Sequence, residues 1–240
     1  IQNLCAMKID LVVMRHPTPG SVKMLADFVD ALIINAGDGT HEHPTQALLD
    51  MMSIKEKFGE IKDLNISIIA DIKHSRVALS NIYGLQTMGA NVMVCAPPTF
   101  LPVDVESLGV EVTYDIDTAL EFADAVNVLR IQKERQGTGV IPTLREYRTK
   151  FGLTRERVEK LKKPLTIMHP GPMNRQVEID SEIADGENAI ILDQVLNGVA
   201  VEWLSYFYYQ EVNRNYSENI MQKNRLKGKI LLKGGEIIDP

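Results

Sequence analysis

Several things are scarce in this 240-residue chain, and each absence closes a route. It holds no apolar run of the roughly 18 residues that a membrane-spanning helix needs. Only two cysteines are present, Cys5 and Cys95, each alone among apolar neighbours. They are expected as buried free thiols, which suits a cytoplasmic compartment. No Cys/His cluster has metal-ligand spacing, and His41 and His43 alone are a weak signal. Net positive charge is missing too: the chain carries −6, which argues against a dedicated nucleic-acid binder. No Gly-x-Gly-x-x-Gly or Walker-type loop follows a predicted strand, so dinucleotide and nucleoside-triphosphate readings lose support. No Ser, Cys or Lys is flagged by its neighbours as a covalent nucleophile. Ile1 to Gly20 shows neither a basic start nor a small-residue cleavage site, so no secretory leader is expected there; the first residue is Ile, not Met.

What is present is ordinary for a globular protein: 45% hydrophobic and 24% charged residues, enough for one or two domains with a sizeable core. The charge is uneven. Residues 213–240 hold six Lys/Arg against three Asp/Glu, which marks a candidate boundary near Asn213.

Apolar runs and turn residues predict strands alternating with helices. Ile9–Met14 reads as a buried strand stopped at Arg15-His16-Pro17, with Ser21 capping a helix to Phe28. Ala31–Asn35 reads as a second strand. Asn35-Ala36-Gly37-Asp38-Gly39-Thr40 is read as a turn-rich run outside regular structure. A helix from Pro44 to about Gly59 is expected to bury Leu48, Leu49, Met52, Ile54 and Phe58. Further strands are predicted at Ile66–Asp71, Asn91–Ala96, Val110–Tyr114, Ala125–Leu129 and Leu165–Met168. Helices are predicted at Ser75–Met88, Val103–Leu108, from an Asp117 cap to Ala123, at Thr154–Leu161, and at Ala189–Tyr209 with a break or bend at Gly198. Gln132–Lys163 is otherwise a mobile loop. Trp203, Tyr206, Phe207 and Tyr208 are assigned to packing. Such alternation implies an α/β fold with parallel sheets covered on both faces.

The chemistry collects after the strands, where open α/β sheets bind ligands. Arg15 follows the first; His41, His43 and Gln46 follow the second, where a loop becomes a helix N-terminus suited to an anion. Lys73, His74, Ser75 and Arg76 follow Asp71. Arg130, Gln132 and Arg135 follow Leu129, and His169 and Arg175 flank the last strand's loop. One such arginine is usually a surface residue. Repeated at five strand ends, the pattern predicts one cleft with several guanidinium groups and a small polyanionic substrate.

Five segments, in order, resemble the aspartate carbamoyltransferase family. They are Val13-Met14-Arg15-His16-Pro17; Asn35 through Asp50; Asp71-Ile72-Lys73-His74-Ser75-Arg76-Val77; Leu129 through Arg135; and His169-Pro170-Gly171-Pro172-Met173-Asn174-Arg175. Ornithine carbamoyltransferases share the fold but carry Cys after the His-Pro pair, where this chain has Thr45; the Gln132-Lys133-Glu134-Arg135 run also favours aspartate. The resemblance implies two doubly wound parallel-sheet domains of the carbamoyltransferase type, the first incomplete. Residues 1–44 plus 188–212 would be the carbamoyl-phosphate domain, 45–187 the aspartate-binding domain and 213–240 a basic tail. It implies transfer of a carbamoyl group from carbamoyl phosphate to L-aspartate in pyrimidine biosynthesis, with no metal or organic cofactor. Arg15 and His43 would stabilise the carbamoyl oxygen, and Gln46 would hold the carbamoyl amide. Arg76 and Arg130, with Gln132, would clamp the aspartate carboxylates, and the backbone at Gly171 and Pro172 would touch the carbamoyl group. It further implies a cytoplasmic homotrimer with shared sites, association with regulatory chains or dihydroorotase, and neither nucleic-acid nor membrane partners.

Two departures accompany the resemblance. The family's Ser-Thr-Arg-Thr phosphate cradle and its lysine loop are expected upstream of Ile1, so the chain alone is expected to turn over little. Lys229–Pro240 is read as a hairpin with a Gly-Gly turn and weakly resembles the start of dihydroorotase. The competing reading is a non-catalytic scaffold or an inactive fragment of a fusion enzyme.

Overall fold

The computed structural model describes residues 3, 6–29, 31–132 and 143–208, and the backbone of Leu231–Lys233 and Glu236–Ile238. Cys5, Arg135, Gly137-Thr138-Gly139 and residues 209–230 lie outside the described residues. The chain divides into two compact units, Ile1–Gly198 and Val199–Pro240.

The first unit is built around a five-stranded parallel sheet. Its strands are β3 (Asn65–Ile69), β4 (Asn91–Cys95), β5 (Glu111–Thr113), β6 (Ala125–Val128) and β7 (Thr166–Met168), in the order β5-β4-β3-β6-β7. The two-residue period divides their side chains between two cores. Ile66, Ile68, Val92 and Val94 face one; Ile69, Met93, Cys95, Val126, Val128 and Ile167 face the other. Two positions break the apolar pattern. Ser67 donates its hydroxyl to the Ala119 carbonyl at 2.8 Å, and Asn127 reaches a buried carboxylate described below.

Preceding these strands is a pair, β1 (Leu11–His16) and β2 (Leu32–Asp38), also parallel. Both run further than expected. Arg15 and His16 lie inside β1, not after it, and Asn35–Asp38 complete β2 in place of a turn. Nor is β1 buried: Val13 is 63% exposed. The register explains the extension. Met14 pairs with Asn35 and His16 with Asp38, so Ala36 and Gly37 together oppose Arg15. That is a bulge, and Gly37 adopts φ +118° within it.

The helices are α1 (Ser21–Ala26), α2 (Pro44–Phe58), α3 (Arg76–Thr87), α4 (Ile116–Phe122), α5 (Leu144–Phe151), α6 (Arg155–Lys160) and α7 (Ser181–Ala184). Residues 191–198 form α8. Ser75 caps α3, accepting from the N–H groups of Val77 and Ala78, as the sequence suggests. Three local expectations are corrected. Gly20, not Ser21, precedes α1; Asp115, not Asp117, caps α4 by accepting the Asp117 N–H. The stretch expected as a short helix at Val103 is 3₁₀ turns at Pro98–Phe100 and Val105–Leu108. The inner face of α2 is Ala47, Asp50, Ser53 and Ile54, while Leu48 stands exposed. Helix α5 lies within what was read as loop, because five of its eight residues, LREYRTKF, are charged or Thr, although Leu144, Tyr147 and Phe151 recur at helical spacing and Tyr147 is buried.

In the second unit residues 199–208 are helical, and β8 (Leu231–Lys233) pairs antiparallel with β9 (Glu236–Ile238), the expected hairpin. Gly198, expected as a helix break, is itself helical. Trp203, Tyr206, Phe207 and Tyr208 do not enter a core: all four are exposed, and Trp203 and Phe207 stack on each other at 5.8 Å.

Candidate active site

The strand order turns at β3. Its neighbours β4 and β6 lie on opposite sides, so the loops after β3 and β6 diverge and leave a crevice at their carboxyl ends. Buried Asp71 ties the two loops together. Its Oδ1 accepts the His74 backbone N–H at 3.2 Å and faces His74 Nδ1 at 2.8 Å; its Oδ2 accepts the Gln132 N–H at 3.4 Å.

A cavity of about 230 Å³ opens there, lined by Arg15, His43, Gln46, Ser75, Arg76, Val77, Arg130, Gln132, Pro170, Gly171 and Pro172. All eight residues singled out from the sequence are among them. Arg15 comes from β1, opposite the bulge of β2; His43 and Gln46 come from the start of α2. Arg76 opens α3, Arg130 and Gln132 follow β6, and Gly171 and Pro172 belong to the loop after β7.

Of the other residues expected after the strands, Ser75 lines it, Arg135 lies outside the described residues, and the rest do not line it. Arg175 is turned away, its guanidinium paired with both oxygens of Asp185 at 2.6 and 2.7 Å. His41 sits against Asp38 at 3.1 Å. His169 is buried, its Nδ1 accepting the Gly171 N–H at 2.9 Å, and so shapes the loop from behind. Lys73 is also absent from the lining. Val77, not chosen from the sequence, lines it because it follows Arg76 at a capped helix start.

Arg76 is 7% exposed, and the space for its guanidinium comes from β2. A Cβ on Gly37 would lie 2.6 Å from Arg76 Nη1 and 2.8 Å from its Cδ. Below this, Asp38 fastens the end of β2 by accepting the N–H groups of Gly20 at 2.8 Å and Glu42 at 2.9 Å. Burial pulls the Asp38 carboxyl upward, but these bonds and those from His41 and Asn35 hold it below the usual carboxylate range.

His43 precedes α2, with Pro44 at the first helical position. Its backbone N–H donates to Ser80 Oγ at 3.0 Å, and its Nδ1 lies 3.3 Å from the Thr45 hydroxyl. Burial, together with the charges of Arg15 and Arg76, pushes its imidazole down to about 4. At neutral pH the cavity therefore presents three guanidinium groups and one uncharged imidazole.

Beneath the cavity lies Asp50, fully buried, surrounded by carboxamides. Gln46 Nε2 and Gln194 Nε2 donate to its Oδ1 at 2.9 and 2.7 Å; Asn81 Nδ2 and Asn127 Nδ2 donate to its Oδ2 at 2.8 and 3.2 Å. Gln194 Oε1 in turn accepts the His169 N–H at 2.9 Å. Elsewhere Cys95 is buried and free, as expected, and burial with the nearby Asp115 charge pushes its thiol up to about 12. Among the described residues no three His, Cys, Asp or Glu side chains are grouped to hold a metal, and no helix is long and apolar enough to cross a membrane.

Comparison with known proteins agrees along most of the chain. Residues 1–56 match the family model for the aspartate/ornithine carbamoyltransferase carbamoyl-P binding domain, and residues 62–203 match that for the Asp/Orn binding domain. The aspartate carbamoyltransferase catalytic subunit of Christiangramia forsetii is 57% identical over 84% of this chain and 65% of its own length. That of Desulforapulum autotrophicum is 51% identical over 89% and 69%. The chain thus spans about two thirds of the length of these relatives. Among solved structures, aspartate transcarbamoylase from Trypanosoma cruzi in complex with N-(phosphonacetyl)-L-aspartic acid superposes with a TM-score of 0.72 and 26% identity, over 83% of this chain and 65% of that one. Ornithine carbamoyltransferase from Pyrococcus furiosus gives 0.70 at 24% identity, over 82% and 66%, a likeness of fold.

Proposed function

Because this chain belongs to the aspartate/ornithine carbamoyltransferase family, we propose that it transfers the carbamoyl group of carbamoyl phosphate to the amine of L-aspartate. The observation that carries the reading is the gathering of Arg15, Arg76 and Arg130 around one cavity with His43 and Gln46. Guanidinium forks match phosphate and carboxylate oxygens, and this pair of substrates supplies one phosphate and two carboxylates. Ornithine fits less well, since its side-chain ammonium would meet the same cations. The Trypanosoma cruzi neighbour was solved with an analogue that joins a phosphonate to aspartate.

In this reading the aspartate amine attacks the carbamoyl carbon, the carbon–phosphate oxygen bond breaks, and phosphate leaves with the bonding electrons and takes up the proton that the amine gives up. Negative charge builds on the carbamoyl oxygen in the tetrahedral intermediate. Arg15 and His43 donate to that oxygen, an interaction stronger in the transition state than before it. This role requires the tautomer with its proton on Nε2, in which Nδ1 accepts from the Thr45 hydroxyl 3.3 Å away. Gln46 accepts from the carbamoyl N–H₂. Arg76 and Arg130, assisted by Gln132, hold the two carboxylates so that the amine faces the carbon. The backbone at Gly171 and Pro172 borders the carbamoyl group. Family membership supports a homotrimer with shared sites and a place in pyrimidine biosynthesis; the few cysteines support a cytoplasmic location.

Incubating the purified chain with carbamoyl phosphate and either aspartate or ornithine tests this. N-carbamoyl-L-aspartate is expected, with no ornithine product, and roughly 100-fold less from an Arg76→Ala variant. No product, together with no thermal shift from N-(phosphonacetyl)-L-aspartic acid, overturns the reading.

A further inference from the structure

Asp50 sits one helical turn after Gln46 on the inner face of α2, with no solvent exposure. An apolar side chain would fill that position without the cost of desolvating a carboxylate. Instead its two oxygens gather four carboxamides from four elements: Gln46 on α2, Asn81 on α3, Asn127 on β6 and Gln194 on α8. Burial raises the Asp50 carboxyl from its usual range, and the four amides oppose that by donating their NH₂ groups, as acceptor-only carboxylate oxygens require. The orientation of these amides follows from chemistry even where nitrogen and oxygen look alike.

For Gln46 the result bears on the cavity it lines. A glutamine in a polar cavity can offer either end. With its NH₂ held at 2.9 Å by Asp50 Oδ1, Gln46 offers the carbonyl oxygen. Gln194 is held from the same oxygen at 2.7 Å, and its own carbonyl accepts the His169 N–H at the start of the loop that reaches Gly171 and Pro172. One oxygen atom therefore sets two parts of the cavity wall.

We propose that Asp50 is a positioning residue: by holding the NH₂ of Gln46 it makes the site select an acyl phosphate bearing N–H₂ on its reacting carbon over one bearing methyl. The selectivity rests on the carbamoyl-transfer reading; the fixed orientation of Gln46 stands without it.

The test compares carbamoyl phosphate with acetyl phosphate, which has a methyl in place of the NH₂, using the full 240-residue chain. The wild-type chain is expected to bind carbamoyl phosphate about tenfold more tightly, the size of one hydrogen bond. Asp50→Asn keeps the shape but sets an NH₂ against donors. Its preference is expected to fall to about one, with the affinity for inorganic phosphate unchanged. Equal weakening of both acyl phosphates, with the tenfold ratio intact, would mean a structural role only and overturn the proposal. Should Asp50→Asn fail to fold, side-chain amide exchange in the wild-type chain decides, with the Gln46 signal assigned by its loss in Gln46→Met. Protection of the Gln46 NH₂ from exchange supports the fixed orientation, and exchange as fast as at a surface glutamine overturns it. A wild-type chain with a protected Gln46 that neither prefers carbamoyl phosphate nor makes product would sink the carbamoyl-transfer reading and the selectivity, leaving the orientation.

Discussion

In the five-stranded sheet Ile66, Ile68, Val94 and Val126 are sealed from solvent, whereas in the two-stranded sheet Val13 is 63% exposed and the sealed side chain is a carboxylate, Asp38. Both sheets are parallel, yet apolar burial holds one, while hydrogen bonds to Asp38 and the close fit of Gly37 and Arg76 hold the other. The two-stranded sheet and the helix after it supply Arg15, His43 and Gln46 to the cavity wall, and segments after strands of the five-stranded sheet supply the other eight lining residues.

The contrast can be broken most sharply at Ile68. Truncating this fully buried side chain to alanine should cost about 4 kcal/mol in chemical denaturation, while Val13→Ala should stay within about 0.5 kcal/mol. Equal losses would erase the distinction. Next comes Arg76→Ala, which spans the two regions: kcat/KM for aspartate should fall roughly 100-fold, about 3 kcal/mol, with little change in unfolding midpoint. Gly37→Ala should cost about 2 kcal/mol, because φ +118° disfavours a Cβ and Arg76 must yield; it should also raise the KM for aspartate. If stability falls and KM does not, the guanidinium is not set by the bulge.

The smallest effects are in pH. An unfolded His43 takes its proton near 6.5, the folded one only near about 4. Between these values the unfolded chain binds more protons, so this contribution to stability is present above 6.5 and lost as pH falls toward 4. The wild-type Tm should drop more steeply across that window than that of His43→Gln. Asp38, held low by its hydrogen bonds, acts further down: its contribution is lost as pH falls below the ordinary carboxylate range, and Asp38→Asn should flatten that limb.

The same contrast governs what could be read from sequence. Where burial decides, residues declared themselves: Ile66–Ile69 and Asn91–Cys95 alternate or run apolar, Ser75 caps α3, and Gly59 ends α2. Where polar contacts decide, local pattern misled. Asn35-Ala36-Gly37-Asp38 has turn composition but is strand, because the bulge needs Gly37 and the end needs Asp38. Helix α5 carried only a thin stripe, Leu144, Tyr147 and Phe151, among Arg, Glu and Lys, and was passed over for its charge. The cavity residues were legible because all but Arg15, which lies within β1, follow a strand, and together they resemble one family in order. The Asp50 cluster was not, because Gln194 lies 144 residues away and no local spacing joins them.

The close approach of Gly37 to Arg76 makes the backbone of one sheet a ruler for the other. The guanidinium occupies the volume of a missing carbon, so the separation of the two layers and the position of the charge are one variable. Any perturbation that spreads or squeezes the layers, whether by pressure, ligand or mutation, must move that charge first. Affinity for a dicarboxylate would then report on spacing between the sheets as directly as a distance measurement.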